Sequence, residues 1–99
     1  MKKIRNIHPG EILLEEFLIP MEISAYRLSK DIGIPQTRIS EIIKRKRDLT
    51  ADTALRLSVY FGTSPKFWLG LQNDFDIEEI AFQKHKMLSS IKRHKVKVA

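Results

Sequence analysis

Residues 24–43, SAYRLSKDIGIPQTRISEII, restrict what this chain can fold into more than any other stretch. Two short helical patterns meet there at Gly33 and Pro35. In the first, Ser24 is a candidate N-cap, and Ala25, Leu28 and Ile32 are spaced for one buried face. Gly33 tolerates positive φ and permits a sharp turn, after which Pro35 suits the first position of a new helix. In the second pattern, at about 100° per residue, Ile39, Ile42 and Ile43 gather on one side. Thr37, Ser40, Glu41 and Lys44 fall on the opposite side, with Gln36 and Arg38 at its edges. The spacing predicts two helices joined by a tight turn, the second packing through isoleucine and presenting a polar row outward.

That polar row has the chemistry of a base reader. Glutamine pairs with adenine, arginine with guanine, and serine or threonine with either kind of base edge. Thr37, Arg38 and Ser40 are therefore predicted to read bases, with Gln36 and Lys44 at the helix ends. Glu41 has two readings, acceptance from cytosine N4 or an ion pair with Arg45 one turn on, and we favour the pair because an unpaired acid facing phosphates is unfavourable. The loop that follows, KRKRD over residues 44–48, would set Arg45, Lys46 and Arg47 beside a phosphate backbone, where contacts supply affinity and register without sequence information. The competing readings are an ordinary helical hairpin that binds protein, and a loop that is merely solvated.

Charge is partitioned in the same sense. The 99 residues carry a formal net charge of +6. All of that excess lies in residues 80–99, which hold six basic side chains and no acidic one. Inside the neutral remainder, residues 27–56 carry eight basic and four acidic side chains between acidic flanks. A positive centre of this kind suggests one DNA-facing surface and other faces for other partners. With no cysteine, disulfides and thiolate chemistry are excluded. His8, His85 and His94 lack metal-ligand spacing, so neither a metal nor any other cofactor is expected. No apolar run is long enough to span a bilayer and no signal peptide is visible, so no membrane association and a cytoplasmic location are expected.

The rest of the chain reads as further helices. His8-Pro9-Gly10 opens a first helix with Leu13, Leu14, Phe17 and Leu18 on one face, Glu11, Glu15 and Glu16 nearer the other, and Pro20 at its exit. Thr50 caps a fourth helix whose inward stripe is Ala54, Leu57, Ser58 and Phe61, with Gly62 as its stop. Ser64 and Pro65 start a fifth, SPKFWLGLQ, with a generous apolar surface of Phe67, Trp68, Leu69, Leu71 and Phe75. Asp76 with Glu79 resembles a capping box for a sixth helix, along which Ile77, Ile80, Ala81, Leu88 and Ile91 share one face. The boundaries expected are a flexible basic start at 1–6, the main domain at 7–76, an additional helix at 77–91 and a basic tail at 92–99.

Taken together, HPGEILLEEFL and the run SAYRLSKDIGIPQTRISEIIKRKRDLTADTALRLSVYFGTSPKFWLGLQNDFD resemble the HigA-type antitoxins of the Xre helix-turn-helix class. The resemblance covers residues 7–77. It implies an all-α fold, a five-helix lambda-repressor-like helix-turn-helix domain here followed by an additional C-terminal helix and basic tail. It also implies a homodimer that binds double-stranded operator DNA, represses its own operon and neutralises a RelE-like, mRNA-cleaving toxin of HigB type. By the same resemblance, phosphate contacts fall to Ser24, Tyr26, Arg27 and the Arg45, Lys46 and Arg47 loop. The dimer contact falls to Phe67, Trp68, Leu71 and Phe75. Ser29 departs from the small apolar residue usual at its position, so its hydroxyl needs a backbone partner. The tail from Lys84 onward inherits no role.

Two other readings stand beside this one. A stand-alone Xre-type regulator without a toxin would look much the same in sequence, and an adaptor domain would keep the motif without binding DNA. No catalytic Ser/His/Asp, Cys/His or carboxylate-pair arrangement rises above chance, so an enzyme is not expected.

Overall fold

A computed structural model of the chain describes residues 5–95. Every regular element among them is helical. In chain order these are α1 (Pro9–Ile12), a π-helical segment (Leu13–Leu18), α2 (Ile19–Met21), α3 (Ala25–Ile32), α4 (Gln36–Ile43), α5 (Ala51–Phe61), α6 (Pro65–Gln83) and α7 (His85–Ser89). None of them is long and apolar enough to cross a membrane.

The starts and stops follow single-residue chemistry. Ser24, Thr50 and Ser64 each accept from the amide three residues on, at Arg27, Thr53 and Phe67. Gly33 and Gly62 end α3 and α5 at φ 71° and 75°, in the left-handed region glycine enters freely. His8 caps α1, its Nδ1 accepting from the Gly10 amide while the Glu11 side chain accepts from the His8 amide. Pro35 stands one residue earlier than predicted, in the capping position at ψ 140°, so that α4 begins at Gln36.

Three expectations about the helices need correction. Pro20 does not end the first helical path, which runs on through α2 to Met21. Proline inside a helix lacks an N–H and crowds the carbonyl four residues back. The π-helical segment before it shifts the hydrogen-bond register, so that the Ile19 amide donates to Leu14 O, five residues back. Second, no helix starts at Asp76: α6 passes unbroken through it, and the boundary drawn there falls inside one element. The Asp76 carboxylate instead accepts from Gln72 Nε2 one turn back, at 2.9 Å. Third, Arg5 and Asn6 are not frayed. Arg5 pairs with Glu11, and Asn6 Nδ2 donates to Phe75 O at 2.8 Å. Residues 1–4 and 96–99, which include parts of the basic start and tail, lie outside the described residues.

One core joins the elements. Leu13, Leu18, Leu28, Ile32, Ile34, Ile39, Ile42, Leu49, Ala54, Leu57 and Trp68 are all buried in it. Trp68 is 0% exposed, and its indole N–H donates to Thr63 Oγ1 at 2.7 Å. Phe17, Phe61 and Phe67 pack around its ring at centroid distances of 4.9, 6.3 and 5.0 Å. Trp68, assigned to the dimer contact by resemblance, thus has no surface to offer a partner. The buried Ser29 hydroxyl finds the partner it needs in Tyr26 O, at 2.7 Å.

The second half of α6 leaves this core. A helix of its length spans about 28 Å, and from Ala81 to Lys95 every residue is exposed. It carries Ile77 and Ile80 into solvent, followed by Met87, Leu88 and Ile91.

Candidate nucleic-acid interface

The face of α4 divides as its spacing requires. Ile39 and Ile42 are 0% exposed and Ile43 is half-buried against the core. Gln36, Thr37 and Lys44 are exposed, and Arg38, Ser40 and Glu41 are half-exposed. Gln36, Thr37, Ser40, Glu41, Lys44 and Lys46 line one open groove. A helix pinned by two buried isoleucines cannot roll to bury this row, so the polar side chains project from a fixed base.

Neighbouring elements brace α4 at both ends. At its C-terminus, α1 comes so close that a Cβ built on Gly10 would lie 1.8 Å from Ile42 O. Beyond it, Arg45 adopts φ 63°, and Lys46 N donates to Glu41 O at 2.8 Å, turning the chain sharply into the basic loop. Ahead of it, Arg56 on α5 donates from Nη1 to Ile32 O at 2.7 Å and to Gly33 O at 3.2 Å. This places a cation on the C-terminal carbonyls of α3, where the helix dipole favours it.

The predicted phosphate contacts lie around this row, several of them already paired. Ser24 and Tyr26 are exposed at the start of α3, with Lys30 Nζ 5.3 Å from the Tyr26 ring centroid. Arg27 Nε donates to Asp31 Oδ2 at 2.8 Å, and the Tyr60 hydroxyl donates to the same oxygen at 2.6 Å. The Tyr60 hydroxyl first, then the Arg27 guanidinium, hold the Asp31 carboxyl below the usual carboxylate range. Glu41 does form an ion pair, but with Arg47, at 3.0 Å, and not with Arg45. The left-handed turn at Arg45 carries its guanidinium away from α4 toward Glu11, 3.9 Å away. Lys46 remains exposed beside the row.

Four residues at this site had escaped sequence reasoning. Glu11 is only 9% exposed and takes part in the α1 cap and in pairs with Arg5 and Arg45, so it is not on the solvent face first assigned to it. His8 is buried, its ring 4.8 Å from that of Phe75. Burial pushes its imidazole below its ordinary value, Asp48 opposing the shift and Arg45 assisting it. An Nδ1 that accepts from Gly10 is likewise an unprotonated one. Gln72 on α6 is 4% exposed and reaches the backbone of Leu49. Arg56 had a local signal in Asp52, four residues earlier, with which it pairs at 3.0 Å, and Glu11 had one in His8, three residues earlier, whose amide donates to its side chain; the burial of His8 and the bond from Leu49 to Gln72 have no local signal.

Residues 14–68, which contain the whole of α3, α4 and α5, match the helix-turn-helix family HTH_3. The chain belongs to this Xre-type helix-turn-helix family. It is 50% identical to virulence-associated protein I of Dichelobacter nodosus over 72 residues, 73% of this chain and 67% of that protein. It is 36% identical to the antitoxin HigA-1 of Vibrio cholerae over 75 residues, 76% of this chain and 70% of that one. These matches therefore span about two thirds of the relatives' own length. In three dimensions it is similar to the Pseudomonas aeruginosa antitoxin HigA, solved with the higBA promoter. The TM-score is 0.86 at 35% identity, over 89% of this chain and 97% of that one.

Proposed function

We propose that this chain is a HigA-type antitoxin that binds operator DNA as a homodimer, represses its own operon and neutralises a RelE-like toxin of HigB type. The observation that carries the DNA part is the division of α4, with Ile39 and Ile42 fully buried and the row from Gln36 to Lys44 open to solvent. Thr37, Arg38 and Ser40 read bases, with Gln36 and Lys44 flanking them. Ser24, Tyr26, Arg27, Arg45, Lys46 and Arg47 hold the phosphates, for which Arg27 and Arg47 exchange their present carboxylate partners. The reading contains no catalytic step.

The dimer contact moves outward from the residues first assigned to it. Trp68 belongs to the core, Leu71 packs against it, and Phe75 is half-buried beside His8, which leaves Phe67 exposed at 40%. Further along, Ile77 and Ile80 on α6 and Met87, Leu88 and Ile91 on and after α7 are exposed by 41–66%. A second copy covering these side chains supplies the burial they lack. Such a dimer presents two α4 helices about 34 Å apart to successive major grooves. For the toxin, Glu15, Glu16, Glu22, Asp74 and Glu78 are exposed acids suited to a basic partner, whereas Glu11 is committed inside the fold.

The test is binding to duplex DNA enriched from a random pool, read by anisotropy across salt. Four cationic phosphate contacts per subunit predict that log K falls with log salt with a slope of about −7, or about 10⁴-fold between 50 and 200 mM. Absence of binding at 50 mM salt, or a flat response, contradicts the reading. Co-purification with the product of the adjacent gene, followed by an mRNA-cleavage assay, tests the toxin part.

A further inference from the structure

We infer that Gln72 is a positioning residue for DNA binding: from inside the fold, it shapes the loop that sets Arg45, Lys46 and Arg47 against the phosphate backbone. The inference rests on the DNA reading above and adds a residue to it, one that never meets DNA.

Gln72 lies on α6, and its amide is used at both ends. Oε1 accepts from the Leu49 amide at 2.7 Å, while Nε2 donates to Asp76 Oδ1 at 2.9 Å and to Asp48 Oδ1 at 3.3 Å. Carboxylates only accept, so Asp76, one turn along α6, fixes which way the amide faces and turns its oxygen toward the loop. Leu49, 3% exposed, anchors the loop's far end in the core. Residues 44–48 are all exposed and include Arg45 at φ 63°, where a residue with a Cβ rests only when its surroundings hold it. The backbone bonds at the start of the loop, Arg45 N to Ile42 O at 3.0 Å and Lys46 N to Glu41 O at 2.8 Å, end before Arg47, and the side-chain ties are ion pairs at exposed arginines, Arg45 with Glu11 at 3.9 Å and Arg47 with Glu41 at 3.0 Å. Contacts of that kind contribute little. For packing alone, an apolar side chain of the same length would fill position 72 without desolvating an amide. What glutamine adds is a defined hydrogen-bonding geometry for the backbone next to the basic side chains.

The experiment is a double-mutant cycle on the full chain, with a 30-base-pair duplex of random sequence as the probe and affinities measured from 50 to 200 mM salt. Gln72→Met keeps the length of the side chain and removes its hydrogen bonds. Gln72→Glu is the second variant, keeping the acceptor for the Leu49 amide and losing the donor that faces Asp48, should the methionine variant not fold. Thermal unfolding establishes which variants are native at the assay temperature. Expected is binding at least tenfold weaker, with a salt slope shallower by about 2, corresponding to two lost phosphate contacts. In a chain that also carries Arg45→Ala, Lys46→Ala and Arg47→Ala, the same change at position 72 is expected to alter affinity less than twofold. Equal losses in both backgrounds would assign Gln72 to general stability and overturn the inference. Unchanged affinity and slope in the otherwise unaltered chain would overturn it as well. Failure of the unaltered chain to bind the duplex is a distinct result, and it removes the DNA reading together with everything built on it.

Discussion

Gly10→Ala is expected to destabilise the protein by about 3 kcal/mol, while Gly70→Ala is expected to stabilise it by about 1 kcal/mol. Both glycines lie in helices, where alanine is ordinarily the better residue. They differ in what a Cβ would meet. At Gly10 it would stand 1.8 Å from Ile42 O and 2.6 Å from Ile42 C, backbone atoms that move only if α1 moves. At Gly70 nothing else in this chain lies within 4 Å, so within the chain this position is a gap in helix propensity and not a place of close approach. Urea denaturation of the two variants measures the contrast through the transition midpoint. Opposite signs establish that α1 presses directly on the end of α4; a Gly10→Ala protein as stable as the original would mean that it does not. The consequence reaches the proposed function, because Gly10 is the point where the N-terminal helix helps to fix the orientation of α4, the helix proposed to read bases.

Trp68→Ala is expected to cost about 4 kcal/mol, a large part of the 5–15 kcal/mol by which such domains are stable. Its ring is 0% exposed, three phenylalanine rings pack around it, and its N–H is bonded to Thr63. Truncation leaves a cavity at the centre of the core. Denaturation at two protein concentrations separates this from an interface effect. A core residue lowers stability at every concentration, whereas an interface residue acts through the monomer–dimer equilibrium. Phe67→Ala, at a residue 40% exposed, is the comparison and is expected to cost much less at high dilution. A Trp68→Ala chain that folds normally as a monomer and fails only to dimerise would return Trp68 to the interface.

The parts of the fold legible in the sequence are those written by one residue acting over one turn. Ser24, Thr50 and Ser64 as caps, Gly33 and Gly62 as left-handed stops, and the inward isoleucines of α4 all depend on local chemistry. So does the hydroxyl of Ser29, whose carbonyl partner is three residues away. Asp76 marks where legibility ends. An acid followed three residues later by another is the pattern of a helix start, yet the same carboxylate also suits a bond to Gln72 along a continuing helix, and only the packing of α6 decides between them. Burial decided Trp68 and Glu11: an apolar surplus looks alike whether it meets the chain's own core or a partner, and an acid near a helix start looks solvated until Arg5 and Arg45 arrive from elsewhere.

The polar row was legible, but its electrostatic surroundings were not. The charges around α4 suggested a pair between Glu41 and Arg45, four residues apart. The left-handed turn at Arg45 gave that carboxylate to Arg47 instead, six residues away. Arg27 behaves alike, held by Asp31 within α3 and, through Asp31, by Tyr60 from α5. In the proposed DNA complex, phosphate contact at these two arginines would exchange carboxylate for phosphate, which would lower the net gain from each contact.

In the proposed function, the outward row of α4 reads bases from a foundation of buried isoleucine. Arg38→Ala tests it most directly, by titrating the variant and the unaltered protein against the preferred duplex and every single-base change of it. Expected is a loss of about 1–3 kcal/mol on the preferred duplex, with discrimination relaxed at one base position and kept at the others. Uniform weakening across all the duplexes, with every base preference retained, would contradict it.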